Sequence, residues 1–243
     1  MLPNQADGTL ALDAVRGAIR EDDPHYPVTR AVAIENTQNR CNGRVYPHAK
    51  FQEVASLCKQ HNLALHVDGA RLANAAVASG VPLAAIASGA TSVSLCLSKG
   101  LGCPVGAIVA GSGEFMYSAR RARKALGGSM RQAGVIAATG IVALHENIDR
   151  LADDHRNCMK LARGLAAMGG IKLAGLPDTN ILYFDVVEEE VGFGAEELCR
   201  RLGASGVRVE PYGRTEIRAV THLNVSSEDI ECVLAACEAA LAS

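Results

Sequence analysis

Two apolar runs in this chain end in residues that could share one piece of chemistry. Leu63–Val67 closes on Asp68-Gly69-Ala70-Arg71, and Ser92–Leu97 closes on Ser98-Lys99-Gly100. The 31 residues from Asp68 to Lys99 suit one strand–helix–strand crossover, which brings both strand ends to the same side of a parallel sheet. A carboxylate and a primary amine placed there could hold pyridoxal phosphate. The amine would form a Schiff base with the aldehyde, and the carboxylate would keep the pyridine nitrogen protonated so that the ring accepts electrons. The same spacing also suits an ordinary Asp–Lys ion pair at a strand edge, and spacing alone leaves both readings open. Two other uses of the lysine are excluded. Ser98-Lys99-Gly100 lacks the Gly-x-x-x-x-Gly-Lys-[Ser/Thr] of a phosphate-binding loop, and the glycines from Gly100 to Gly106 miss the dinucleotide spacing.

The elements that must position this pair follow from periodicity and punctuation. The pattern predicts a helix over Leu10–Arg20, a strand over Arg30–Glu35, a helix over His48–His61, a strand over Leu63–Asp68 and helical sequence from Ala70 broken at Gly80-Val81-Pro82. Strands at Thr91–Leu97 and Gly106–Ala110 follow, then helical sequence from Glu114 through about Met168. Continuous apolar runs between helices predict strands buried on both faces of a mainly parallel α/β sheet. Beyond Gly169-Gly170 the rhythm shortens to strand Asn180–Val186, helix Ala195–Leu202, strands Val207–Glu210 and Glu216–Val220, and a closing helix Ser226–Leu241, a small α+β unit. Ser226, with Glu228-Asp229 behind it, reads as a capped helix start. The division expected is a large domain over 1–147 and a small C-terminal domain over 148–243.

Composition narrows the function classes. The chain has 243 residues, enough for a core without staples, and 24 basic against 26 acidic residues give a net charge of −2. No basic block interleaved with aromatics suggests a nucleic-acid face, and no apolar run approaches the ~20 residues of a membrane span. No signal or transit peptide is recognisable, so a cytoplasmic location is expected. Eight cysteines without a Cys-x-x-Cys pair make neither a disulfide framework nor a zinc site, and no metal is expected. Cys58, Cys96, Cys199, Cys232 and Cys237 read as small apolar core residues.

Four stretches in order carry a family resemblance: His66-Val67-Asp68-Gly69-Ala70-Arg71, Leu97 through Gly106, Gly127-Gly128-Ser129-Met130-Arg131-Gln132, and Val220-Thr221-His222-Leu223. Together they resemble the low-specificity L-threonine aldolases of the β-eliminating lyase group. The resemblance implies a pyridoxal-phosphate-dependent enzyme of fold type I, usually a homotetramer with active sites between subunits. Its substrate would be a small β-hydroxy-α-amino acid. It implies Lys99 as the Schiff-base lysine, Asp68 as partner of the pyridine nitrogen and Arg71 as a polar contact to cofactor or substrate. Lys124 and Arg131 match residues that approach the cofactor phosphate, and Arg218 matches the arginine for the substrate carboxylate. A guanidinium suits that role, because it can grip a carboxylate through two parallel hydrogen bonds. His25 lies where the family has a histidine near the substrate hydroxyl.

Two departures accompany the match. Glu35-Asn36-Thr37-Gln38-Asn39 replaces the family's Glu-Asn-Thr-His-Asn, with Arg40-Cys41-Asn42 lengthening the loop. Family members also carry a further segment before the point matching Met1, including a Gly-Thr phosphate-binding turn and a histidine stacked on the pyridine ring. The expectation is therefore an N-terminally truncated form of the fold. Its leading function is retro-aldol cleavage of L-threonine or L-allo-threonine to glycine and acetaldehyde. The alternative is a catalytically impaired chain acting as a subunit-interaction partner or folded remnant. A helix N-terminus is the usual phosphate anchor, so a chain lacking it is expected to bind cofactor weakly and turn over little.

Overall fold

A computed structural model describes residues 1–242, which form two compact units. The first comprises Met1–Cys41 and Val45–Asp149; the second comprises Asn42–Arg44 and the chain from Arg150 onward.

The first unit is built on a four-stranded sheet of order β1-β2-β3-β4, with β1 Ala31–Glu35, β2 Ala64–Asp68, β3 Ser92–Cys96 and β4 Ala107–Gly111. β1, β2 and β3 run parallel, and β4 returns antiparallel to β3. Parallel neighbours need crossovers. One is the helix α2 (His48–Gln60), and the other is α3 (Leu72–Ser79) with the single turn α4 (Leu83–Ile86). A short α1 (Leu12–Ala18) precedes them. The core joins Ile34, Leu65 and Val67 of the sheet to Phe51, Val54 and Cys58 of α2 and to Leu72 and Ala75 of α3. β-branched and leucine side chains alternate inward along β2, which fixes its register against β1 and β3.

Three sequence expectations are corrected here. The long helical stretch is interrupted twice, giving α5 (Gly113–Ala125), α6 (Gly134–Glu146) and, in the second unit, α7 (Leu151–Ala166). The first break contains Gly127 at φ 83°, a left-handed conformation that glycine adopts without penalty. The strands are not all buried on both faces. Every residue of β4, at one edge of the sheet, is exposed, and no residue of α5 is buried. Third, Cys232 is exposed and Cys96 and Cys199 are only partly buried, whereas Cys58 and Cys237 lie in cores as expected.

The second unit is an antiparallel sheet of order β5-β6-β8-β7, comprising β5 Ile171–Leu173, β6 Ile181–Val186, β7 Glu210–Pro211 and β8 Glu216–Val220. α7, α9 (Ala195–Ala204) and α10 (Ser227–Ala242) supply the apolar side chains packed on it, and a single turn, α8, spans Glu188–Val191. Leu161, Leu165, Leu182, Phe184, Leu198, Leu202, Ile217 and Ile230 form the centre of this core. The strand expected at Val207–Glu210 shrinks to the two residues Glu210–Pro211, which pair with Arg218 and Ile217 of β8. Ser226 caps α10 reciprocally: its hydroxyl accepts from the Asp229 N–H at 3.1 Å, and its N–H donates to the Asp229 carboxylate at 2.8 Å. Asn42, far earlier in sequence, is stitched into this unit. Its Oδ1 accepts from the Tyr183 N–H at 2.7 Å and its Nδ2 donates to the Gly175 carbonyl at 2.8 Å.

Candidate active site

β1 and β2 end together. Glu35 and Asp68 are register partners, and Asp68 is paired in turn with Ser94 of β3. β3 continues to Cys96, after which the chain turns through Ser98-Lys99-Gly100. The carboxyl ends of three parallel strands thus present Glu35, Asp68 and Lys99 at one edge of the sheet, the position where open α/β sheets bind ligands.

The local sequence explains how each side chain is held. Gly69 follows Asp68 where a Cβ would stand 2.6 Å from the Ser94 carbonyl, so only glycine lets the chain pass this close to β3. Asp68 is exposed, and its Oδ1 accepts the Ala70 N–H at 3.1 Å. Its backbone carbonyl accepts the Asn36 N–H at 3.0 Å, which clamps the ends of β1 and β2. Arg71 sits half-buried at the start of α3. The turn that carries Lys99 is anchored by buried Leu97, Leu101 and Cys103 and closed by the Gly102 N–H donating to the Lys99 carbonyl at 2.9 Å. Its apolar residues point inward, so the Lys99 side chain is left exposed, without a hydrogen bond or ion pair among the described residues.

Asp68, Arg71 and Lys99 each act on Glu35. Burial pushes the half-buried Glu35 carboxyl above its ordinary range, and the Asn39 N–H opposes the rise. The Asp68 charge adds to the rise, whereas Arg71 and Lys99 oppose it. Glu35, Asp68, Arg71 and Lys99 therefore form one electrostatic cluster, two acids with two bases. Gln38 completes it, donating to Glu35 Oε2 at 2.9 Å while its Oε1 accepts the Cys41 N–H at 2.9 Å.

The other residues singled out in sequence lie elsewhere in their units. His25 is exposed in a turn, its ring 2.7 Å from Asp23 Oδ1. Lys124 is exposed in the last turn of α5, and Arg131 is exposed just before α6. Arg218 lies half-buried on β8, paired with Tyr183 and Glu210. It lines a cavity of about 630 Å³ with Tyr212, Thr221 and His222. Glu35 is the site residue that sequence reasoning missed. Its signal was present, since the run Ala31–Glu35 ends in an acid just as Ala64–Asp68 does.

The chemistry of the exposed set fits pyridoxal phosphate. A lysine amine left unpaired can bond an aldehyde, and an aspartate that spends one oxygen on its own turn can take a ring N–H.

Comparison with known proteins agrees. Residues 1–189 match the family described as beta-eliminating lyase. The chain is 46% identical over 238 residues to an Arabidopsis thaliana protein named as a probable low-specificity L-threonine aldolase, covering 97% of this chain and 67% of that relative. It is 41% identical over 240 residues to the low specificity L-threonine aldolase of Escherichia coli, covering 98% of this chain and 68% of the other. The solved threonine aldolase of Leishmania major superposes with a TM-score of 0.80 and 20% identity, covering 98% of this chain and 69% of that one. The fold is thus that of the pyridoxal-phosphate enzymes of fold type I, present over about two thirds of its relatives' length. By its match across residues 1–189 and its close curated relatives, the chain belongs to the β-eliminating lyase family.

Proposed function

We propose that this chain is a pyridoxal-phosphate-dependent carbon–carbon lyase that cleaves L-threonine and L-allo-threonine to glycine and acetaldehyde, a reading supported by its likeness to proteins named low-specificity L-threonine aldolase. The observation that carries the reading is the pair of exposed side chains, Asp68 and Lys99, at one strand-end edge, both within the electrostatic reach of Glu35. Bound there, pyridoxal phosphate supplies an aldehyde for the amino acid's nitrogen and a ring that takes up the electron pair of the breaking Cα–Cβ bond.

The chain's own residues divide the remaining work. Lys99 would hold the cofactor through its amine. Asp68 would keep a proton on the ring nitrogen of the bound group, so that the ring can receive charge. Arg71 contacts cofactor or substrate from the start of α3. Lys124 and Arg131 are assigned to the phosphate, and Arg218 to the substrate carboxylate, on the family match. His25 is assigned to the substrate hydroxyl, where an imidazole can accept a proton near neutral pH. Gln38 replaces a histidine of the family motif and has both polar ends engaged within the protein, so it takes no proton.

A homo-oligomer is the proposed assembly. Tyr117, Leu126, Met130, Val135, Ile141 and Val142 are exposed on and around α5 and α6, an apolar surface suited to a second copy. Eight free cysteines suit the reducing cytoplasm, and no helix among the described residues is long and apolar enough to cross a membrane. The direct test is glycine and acetaldehyde release from L-threonine and L-allo-threonine at saturating pyridoxal phosphate. Stoichiometric release that Lys99→Ala abolishes supports the reading. Unchanged release by that variant overturns it.

A further inference from the structure

Glu35 is a site residue for which the aldolase reaction as described has no task. It ends β1 in register with Asp68, and the next N–H along the chain, that of Asn36, donates to the Asp68 carbonyl at 3.0 Å. Its carboxyl is half-buried rather than solvated, and it accepts from Gln38 at 2.9 Å. Gln38 is only 7% exposed and spends its other end on the Cys41 N–H. A buried amide held at both ends serves as a strut, and what it supports is Glu35.

The local charges give the strut a purpose. Arg71 and Lys99 bring two cations to act on Glu35, and Glu35 and Asp68 set two carboxylates side by side at the strand ends. Burying a carboxylate is costly unless cations and donors compensate, and at Glu35 both are present. We propose that Glu35 is a positioning residue of the cofactor site, a second carboxylate, braced by Gln38, whose charge works with that of Asp68 to balance Arg71 and Lys99. The inference rests on the pyridoxal-phosphate reading given above. The titratable groups around Glu35 are Asp68 from β2, Arg71 before α3 and Lys99 after β3, together with Tyr46, which lines the same cavity of about 500 Å³.

The test uses the chain loaded with pyridoxal phosphate and follows its visible absorption as a function of pH. Glu35→Gln keeps the side-chain shape and an acceptor oxygen while removing the charge. Loss of a negative charge lowers the proton affinity of the site, so the midpoint of the profile moves to lower pH by about threefold or more in proton concentration. Glu35→Asp restores the midpoint toward that of the parent, and far-UV circular dichroism is unchanged in both. If Glu35→Gln does not fold, Gln38→Leu serves instead: it removes the donor that favours the charged carboxylate and moves the midpoint in the same direction. A parent band whose profile superimposes on those of the folded variants overturns this inference and leaves the cofactor reading standing. A parent with no visible band overturns the cofactor reading and this inference with it.

Discussion

Asp68 and Glu35 are Cα partners at the last rung of two parallel strands, so one sheet edge carries two carboxylates side by side. The two are treated differently by their surroundings. Asp68 is exposed and turns one oxygen to its own loop, whereas Glu35 is half-buried and held by Gln38. An exposed carboxylate can receive a ligand's N–H, whereas a braced, half-buried one is held in place. The proposed division of labour between ring contact and charge balance rests on that difference.

Asp68→Ala lowers turnover more than it lowers cofactor occupancy. Its proposed role is to preserve the electron sink during bond cleavage, a contribution felt in the transition state more than in binding. Occupancy read from the visible band, beside glycine production on the same preparation, separates the two. Equal losses in both would reject the role.

Asn42→Ala destabilises the second unit by about 2 kcal/mol. The buried Tyr183 N–H loses its acceptor and the Gly175 carbonyl its donor, and an unsatisfied buried group costs about 1–3 kcal/mol. Urea unfolding of variant and parent measures the difference, and an unchanged midpoint would contradict it.

Much of the fold was legible because its signals are local. The runs ending at Glu35, Asp68 and Cys96 alternate with helix-length segments, and the Ser226 cap was readable from a hydroxyl with acids behind it. Lys99 and Asp68 were legible as candidates because each closes an apolar run. What was hidden depends on long-range partners. The exposure of β4 depends on what packs on its faces, which no local pattern in Ala107–Gly111 declares. Glu35 was passed over because its burial, and the use of both ends of Gln38, arise only once β1, β2 and the following loop are folded together.

Stability falls on mild acidification through His155. Burial pushes this imidazole down from 6.5 to about 4, so the folded chain binds fewer protons there than the unfolded chain. Its contribution is fully present above the unfolded value and is lost as pH falls from about 6.5 toward 4. Allowing for partial exposure, the loss between pH 7 and pH 5 is about 1–2 kcal/mol. Denaturant unfolding at those two pH values measures it. His155→Gln flattens the dependence, and a variant as acid-sensitive as the parent would contradict the assignment.

The central claim is that Lys99 is the cofactor's anchor, and covalent mapping tests it most directly. The chain is incubated with pyridoxal phosphate, reduced with borohydride and digested, and the pyridoxyl-bearing peptide is sequenced by mass spectrometry. The account predicts the group on Lys99, with Lys99→Ala leaving the chain folded and unlabelled. A pyridoxyl group on Lys124 or another lysine, with Lys99 unmodified, would contradict it.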